Sequence, residues 1–274
     1  MTGARVSTAL AYAVCLLFLA GSAAWAEESA LARYDTGWME ARLAYPQIGH
    51  PGVDAALARF AMQELEQRAQ DMEQEFFRTA SGQDKALQLE GRYTFFQPSP
   101  QAVSVLFELR GTSPRWPAPR HYFAARSYRL PDGGELTLAD MFENVPEALE
   151  VLARKCVPKL LPRLLAQYTQ EQIEMTWFLR TRLILPGYPM PNGADIVEFS
   201  RSGGDAPAMR LLEGVVRGTR PEAENYKHVV LTSDGLRIQF EPLQLGGPET
   251  GAPYVDLSLR ELRDAKLRLT LWDK

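Results

Sequence analysis

The sequence predicts an α+β fold in which antiparallel sheet elements carry two main helices packed on them. Two long segments, around 53–77 and 146–168, place apolar residues at steps of three and four, which is the period of an amphipathic helix. Several shorter segments alternate apolar and polar residues, a pattern typical of strands with one buried face. Asp234-Gly235 separates two of them, and this dipeptide favours a tight hairpin because glycine accepts a positive φ without steric cost.

Composition places the chain among globular proteins. It has 274 residues, of which 46% are hydrophobic and 23% charged, so it can bury a sizeable core in one large domain or two small ones. The formal net charge is −4. Nucleic-acid binding needs clustered positive charge, so this balance argues against a nucleic-acid partner.

The first 26 residues have the pattern of a secretory signal peptide. Arg5 provides a short positive region, the segment 9–20 is apolar, and Ala24-Trp25-Ala26 is a small-x-small site, so cleavage is expected after Ala26. The alternative is an uncleaved anchor, but the apolar run is shorter than the ~20 residues of a membrane span. No later segment is long and apolar enough to span, and we therefore expect a periplasmic or secreted protein.

The N-terminal half, residues 27–110, is predicted to hold a long helix followed by a hairpin. After a short lead-in, Trp38 to Leu43 is expected to form the first strand. Asp54 is the predicted cap of the helix, which runs to about Phe77. The segment 86–110 contains two runs of alternating apolar residues around a proline-containing loop, which indicates two paired strands.

The C-terminal half, residues 111–274, begins with a predicted strand at Tyr122 to Leu130 and a turn of Pro-Asp-Gly-Gly sequence. A helical turn ending at Phe142 follows. The unit from Tyr226 to Leu262 is expected to hold three strands closed by a helical turn, with Ser258 as the cap.

Between these elements the pattern is less regular. The second long helix contains Pro158 and Pro162, and proline inside a helix removes a hydrogen bond and costs about 3 kcal/mol. We therefore expect a break near Val157 or a kinked pair of helices. The portion around 160–220 is treated as variable, and Met209 to Val216 is interpreted as a short strand or extended segment.

Three motifs, taken in order, resemble one family. They are Leu-Thr-x-Asp-Gly-Leu-x-x-x-Phe-x-Pro at 231–242, the segment 45–57, and the segment 128–142 with its Leu-Thr-Leu core. Together they span most of 40–262 and resemble the extracytoplasmic domain of unknown function in RsiV-type, lysozyme-sensing anti-sigma factors and PdaC-type peptidoglycan deacetylases. One segment departs from the family: where Gly-Gly-Ala-His is usual, residues 115–121 read Arg-Trp-Pro-Ala-Pro-Arg-His. If that segment shapes a ligand site, the ligand differs here.

The resemblance implies a non-enzymatic envelope protein that binds a lysozyme-like hydrolase or peptidoglycan. Anti-sigma activity does not carry over, because it needs a cytoplasmic sigma-binding segment and a membrane span. Two alternatives come from other classes: an envelope hydrolase with its catalytic residues in the middle portion, and a structural assembly module. Two or more acids or a histidine in one deep pocket would favour the hydrolase, whereas a shallow surface rimmed by aromatic residues would favour binding.

Aromatic and arginine side chains supply the candidate binding site. Interfaces are enriched in Trp, Tyr and Arg, because large rigid groups bury area at low entropic cost. The predicted binding residues are Arg115, Trp116, Arg120, Trp177 and Tyr188. The alternative for Trp116 is that its ring folds back onto the sheet.

No catalytic residue, metal site or cofactor is predicted. His50, His121 and His228 lie at no zinc spacing with one another or with a cysteine, and no serine elbow or phosphate loop is present. The acids whose positions would suit catalysis are Asp132, Asp140, Glu143, Glu241 and Asp256. Turn or cap roles explain the first two more simply. Cys156 lies on an apolar helical face and is predicted to be a buried core thiol, with intermolecular pairing as the alternative.

Overall fold

The fold is α+β, as the sequence predicts, and consists of two sheets packed face to face. The computed structural model describes residues 28–79, 87–114, 116–166, 207–246 and 250–272. The first part of the chain forms a five-stranded sheet and the last part a three-stranded sheet. Helices cover the outer face of each sheet, so the layers follow the order helix, sheet, sheet, helices.

The five-stranded sheet follows the order of the chain. Its strands are β1 (Glu28–Asp35), β2 (Met39–Gln47), β3 (Leu87–Ser99), β4 (Ala102–Thr112) and β5 (Arg120–Arg129). The parallel pair β2 and β3 is joined by helix α1 (Pro51–Thr79), whereas the other neighbours are antiparallel. Because β5 belongs to this sheet, the sheet extends beyond the predicted N-terminal half, which ends at residue 110.

Helix α1 covers one face of the five-stranded sheet. Its buried residues recur at the predicted steps of three and four: Val53, Leu57, Phe60, Ala61, Leu65, Ala69, Met72 and Phe76. They pack against alternate residues of the strands, such as Leu43 and Leu89. The rings of Phe60 and Phe107 lie 5.6 Å apart between centroids. The apolar stripe of α1 therefore accounts for most of this core.

Two predictions for the N-terminal part are wrong. The expected lead-in is strand β1, which pairs with β2 along its whole length. The alternating apolar residues of β1 include only small ones such as Ala30 and Ala32, so the sequence pattern for a strand is weak there. The strand conformation of β1 depends on its pairing with β2. Helix α1 begins at Pro51, so Asp54 is not its cap. The Asp54 carboxylate instead accepts a hydrogen bond from the Ile48 N–H at 2.8 Å.

The three-stranded sheet contains β6 (Val229–Thr232), β7 (Gly235–Gln239) and β8 (Tyr254–Ser258), all antiparallel. The predicted hairpin is confirmed, since Thr232 pairs with Gly235 across the turn. Its outer face is covered by α3 (Val145–Leu165) and α4 (Pro207–Gly218). A single helical turn, α2 (Leu138–Met141), precedes α3.

The predicted break near Val157 is wrong, because α3 continues through Pro158 and Pro162. The two prolines are four residues apart, so they share one face of the helix, and that face is exposed. The carbonyls that lose a hydrogen-bond partner therefore face solvent, where water can satisfy them. Among the described helices, none is long and apolar enough to cross a membrane.

The extended conformation predicted for Met209 to Val216 is also wrong, since these residues lie in α4. Leu211 and Val215 are buried and four residues apart, which is a helical repeat. In a short run of apolar residues this repeat cannot be told from a strand pattern. The rest of the predicted variable portion, residues 167–206, lies outside the described residues.

Buried hydroxyl groups join the two sheets. Ser104 of β4 and Ser127 of β5 are buried, and their Oγ atoms lie 2.6 Å apart. The Leu231 N–H of β6 donates to the Ser104 Oγ at 3.0 Å. Beside them, Val230 packs against Leu106. The Ser104 hydroxyl thus satisfies a backbone donor at the edge of the smaller sheet.

Cys156 confirms the prediction of a core thiol. Its side chain is fully buried on the inner face of α3. Burial raises the pKa of the thiol, because a thiolate would lose its solvation there. Such a thiol is chemically inert in the folded protein.

Charged side chains of α3 reach the outer edge of β8. Lys159 Nζ donates to the Asp256 carbonyl at 2.7 Å, and Arg163 Nη1 donates to the Tyr254 carbonyl at 2.9 Å. Lys159 also contacts the Glu261 carboxylate at 2.8 Å. The edge of the smaller sheet is therefore tied to the helix that covers its face.

We expect Glu261 to contribute stability that is lost in acid. Burial alone would raise its pKa, but hydrogen bonds from Lys159 and from the backbone and hydroxyl of Ser258 lower it to about 2 from 4.5. A pKa lower in the folded than in the unfolded protein stabilises the fold above about pH 4.5, and this stabilisation disappears towards about pH 2. Urea unfolding should show Glu261→Gln less stable than the native protein near neutral pH. The difference should close in acid. The exposed Glu143→Gln is the control and should be about as stable as the native protein near neutral pH.

Candidate functional site

A cleft of about 1090 Å³ lies between the two sheets and is the candidate functional site. One wall is formed by β3, β4 and β5, and the other by β7 and the segments 241–243 and 251–254. Its charged lining residues are Arg68, Glu108, Arg120, His121, Arg237 and Glu241. Its aromatic lining residues are Tyr122, Phe123 and Tyr254. The volume is that of a small-molecule or peptide site.

Arg237 is fixed in the wall formed by β7. Its Nε and Nη2 donate to the two carboxylate oxygens of Asp256 at 2.7 and 3.0 Å, across the β7–β8 pair. Its guanidinium carbon lies 4.2 Å from the ring centroid of Tyr254. The hydrogen bond to Asp256 raises the pKa of Arg237, although burial opposes this. Arg237 is thus a pre-oriented cation beside an aromatic ring.

Glu108 lies on the opposite wall, on β4. Arg92 donates to its Oε2 from Nε at 2.9 Å and from Nη2 at 2.7 Å. The Nδ1 of His121 lies 3.2 Å from its Oε1. Both carboxylate oxygens are therefore engaged by neighbouring side chains.

Glu241 lies just after β7 and forms a second histidine–glutamate pair. The Nε2 of the buried His228 lies 2.7 Å from Glu241 Oε1, and Lys227 Nζ lies 4.0 Å from the same oxygen. The Glu241 N–H donates to Gln244 Oε1 at 2.9 Å. The carboxylate is therefore held by the residues just before β6, whereas Gln244 fixes the backbone of Glu241.

Arg120 marks the end of the cleft nearest to α1. Its Nη2 donates to Glu75 Oε1 at 2.6 Å, and its Nη1 bonds the other oxygen of that carboxylate. This ion pair raises the pKa of Arg120. Its guanidinium carbon lies 4.1 Å from the ring centroid of Trp116, and that of Arg68 lies 5.4 Å from the ring of Tyr122. Cations and rings alternate along this side.

The structure brings together two of the predicted binding residues, Trp116 and Arg120. Arg120 lines the cleft. The half-buried Trp116 packs against the core beneath α1, so its ring folds back onto the sheet. This is the alternative conformation considered for Trp116 in the sequence analysis. Arg115, Trp177 and Tyr188 lie outside the described residues.

Most of the candidate acids have structural roles. Asp132 accepts a hydrogen bond from the Gly134 N–H at 3.0 Å, which confirms its turn role. Asp140 accepts from the Thr137 hydroxyl at 2.6 Å and backbone at 2.9 Å in a capping box, and these bonds lower its pKa. Asp256 pairs with Arg237. Of the five candidates, Glu241 is the one that lines the cleft. Within the described residues, no group of three His, Cys, Asp or Glu side chains could hold a metal ion.

No protein-family model and no curated protein matches this sequence. Several chains of solved structures are similar to it, and two of them are described below. A DUF3298 family protein from Pseudomonas aeruginosa PAO1 superposes with a TM-score of 0.47 at 10% identity, covering 90% of this chain and 95% of that one. A member of the same family from Bacteroides fragilis NCTC 9343 gives a TM-score of 0.42 at 10% identity, covering 90% and 96%. Both are representatives of a domain of unknown function, so the resemblance to RsiV-type and PdaC-type proteins stays a prediction.

Sequence reasoning missed most of the residues that line the cleft. Arg237 and Gln239 alternate with Leu236 and Ile238, so β7 has a polar face opposite its apolar one. Gln239 is nevertheless buried. The polar residues on that face of β7 were the one sequence pattern that could have indicated a binding site on this strand. The identity of the opposing wall depends on how the two sheets pack, which the sequence pattern does not reveal.

Proposed function

We propose that this protein is a non-enzymatic binding protein of the bacterial cell envelope, with its ligand in the cleft between the two sheets. One observation carries the proposal: the charged side chains of the cleft are held in place before any ligand arrives. Arg237, Glu108 and Arg120 each have an opposite-charge partner that fixes their orientation. A pre-organised lining of this kind lowers the entropic cost of binding.

The lining chemistry supports a ligand that carries carboxylates on a peptide-like chain. Three arginines and three aromatic rings face the cleft, and arginine matches the planar geometry of a carboxylate. Arg237 uses Nε and Nη2 for Asp256, so its Nη1 lies outside that pair. Stem peptides of peptidoglycan and acidic segments of a lysozyme-like hydrolase both offer this chemistry. The motif resemblance points to the same two sources.

A hydrolase is the second candidate, because Glu108, Glu241 and His121 line one cleft. This is the clustering that an envelope hydrolase would need. A general acid must present a proton to its substrate, however, and both oxygens of Glu108 are already engaged by Arg92 and His121. For Glu241, His228 engages one oxygen, Oε1, at 2.7 Å. We therefore favour binding over catalysis.

Calorimetric titration tests the proposal. The purified protein is titrated separately with a soluble disaccharide–tetrapeptide fragment of peptidoglycan and with hen-type lysozyme. We expect one of them to bind, and Arg237→Ala to weaken that binding by about tenfold, since a charge-assisted hydrogen bond contributes about 1.5–3 kcal/mol. The exposed Arg154→Ala on α3 is the matched control and should bind like the native protein.

Three outcomes would contradict the proposal. Binding of neither ligand, or equal binding by Arg237→Ala and the native protein, would remove the cleft as the ligand site. Turnover of intact peptidoglycan that Glu108→Gln or Glu241→Gln abolishes would establish the hydrolase instead. Circular dichroism of each variant shows whether the fold is retained.

A further inference from the structure

We propose that the edge of β5 that faces away from β4 takes an extended peptide segment of a protein partner as an additional strand. This inference rests on the proposed function and deepens it, because it says how a ligand would lie in the same cleft. A strand at the edge of a sheet presents unpaired N–H and C=O groups that can template another strand.

The outward backbone groups of β5 can be identified from its hydrogen bonds. The Ser127 carbonyl accepts from the Leu136 N–H, and the Arg129 N–H donates to the Gly134 carbonyl, both at 2.8 Å. In an antiparallel strand, alternate residues direct their backbone groups to the same side. His121, Phe123 and Ala125 therefore also direct theirs outward, away from β4.

Among the residues that the structure describes, backbone partners cover the second half of this edge and leave the first half open. Leu136 and Gly134 occupy the end of β5, and the Ala125 carbonyl accepts from its neighbour Arg126 at 2.8 Å. Within the described residues, the outward N–H and C=O groups of His121 and Phe123 have no backbone partner. The open stretch is long enough to pair with a short extended segment.

The cleft runs along this open edge. Residues 118–123 line it, and the last four of them, 120–123, are consecutive residues of β5. Successive side chains of a strand point to opposite faces, so consecutive strand residues can line one cavity only where it follows the backbone edge. The other strands contribute one face each, as Leu106 and Glu108 of β4 do. A peptide in the cleft would thus meet the backbone of β5.

The residues on the two sides of the β5 edge favour different side chains in a bound peptide. On the side of α1 lie Arg120 and Arg68. Arg68 Nε is buried and has no hydrogen-bond acceptor within the described residues, and its ion pair with Glu64 spans 3.5 Å. On the other side lie Phe123 and Leu106. The occupant that complements both sides is a segment that alternates acidic and aliphatic residues.

The test uses a fluorescein-labelled, C-terminally amidated pentapeptide of alternating valine and glutamate and follows its fluorescence polarisation with the full protein. Two further peptides carry N-methyl groups on all the valines or on all the glutamates. In a paired strand, one of these two sets of N–H groups faces β5 and the other faces away. We expect one methylated peptide to bind within about threefold of the parent and the other to lose at least about tenfold. A peptide with lysine in place of glutamate should also bind at least about tenfold more weakly.

Equal loss or equal retention of binding by the two methylated peptides would overturn strand addition. Binding would then not depend on which backbone N–H groups of the peptide face β5. Equal binding of the lysine peptide would overturn the acidic preference. If the valine–glutamate peptide does not bind while the peptidoglycan fragment or lysozyme still does so through Arg237, the inference fails and the proposed function stands. If none of them binds, both fail.

Discussion

Gly235→Ala should destabilise the protein by about 4 kcal/mol, because it combines backbone strain with a collision that backbone atoms cannot avoid. Gly235 has φ +153°, and a Cβ there would lie 2.1 Å from the Leu257 carbonyl oxygen. It would also lie 2.9 Å from the Leu259 nitrogen. Relieving these contacts requires β7 and β8 to separate. Urea unfolding followed by circular dichroism measures the loss.

The control for this prediction is Gly37→Ala. A Cβ at Gly37 would meet no atom within 4 Å. We expect its free energy of unfolding to stay within about 0.5 kcal/mol of the native value, as for surface substitutions generally. If Gly235→Ala were as stable as this control, the close approach of β7 to β8 would be wrong. The position of Arg237 in the cleft would then also be in doubt.

Ser104→Ala should cost about 3 kcal/mol, because it leaves two buried polar groups without their partner. The Leu231 N–H loses its acceptor, and the Ser127 hydroxyl loses its neighbour. Ser127→Ala is the matched control and should cost about half as much, since Ser104 still accepts from Leu231. Urea unfolding of both variants gives the comparison. Equal losses would mean that the Ser104–Leu231 hydrogen bond does not join the two sheets.

Both substitutions act on the part of the fold that sets the width of the cleft. Ser104 lies on β4, two residues before Leu106, which lines one wall. Gly235 begins β7, which places Arg237 on the other wall. Variants that remain folded but bind the ligand more weakly would indicate that the spacing of the sheets, and not only the lining residues, determines affinity.

The elements that the sequence predicts correctly are those whose local chemistry agrees with their surroundings. The predicted hairpin forms, although its turn residues are Ser233 and Asp234, one position before the predicted pair, and Gly235 is the first residue of β7. Helix α1 buries a stripe that is visible at steps of three and four. Pro158 misled the prediction because a helix tolerates proline where the lost hydrogen bond faces water. Whether position 158 faces water is a property of the packed protein.

The candidate site was predictable only in part. Arg120 was selected by its aromatic neighbourhood and does line the cleft. Arg237 and His121 come from different sheets and line one cleft only because Ser104, Leu106 and their neighbours bring the sheets together. No spacing along the chain encodes such a meeting.

The two cations that α3 places on β8 have a consequence for self-association. At the β8 edge, a second copy of the chain could extend the smaller sheet only by displacing Lys159 and Arg163 from the Asp256 and Tyr254 carbonyls. It would also have to bury their charges, which is costly without new partners. This border of the sheet is therefore a poor template for fibril growth, and two side chains provide that resistance to aggregation without an additional covering strand.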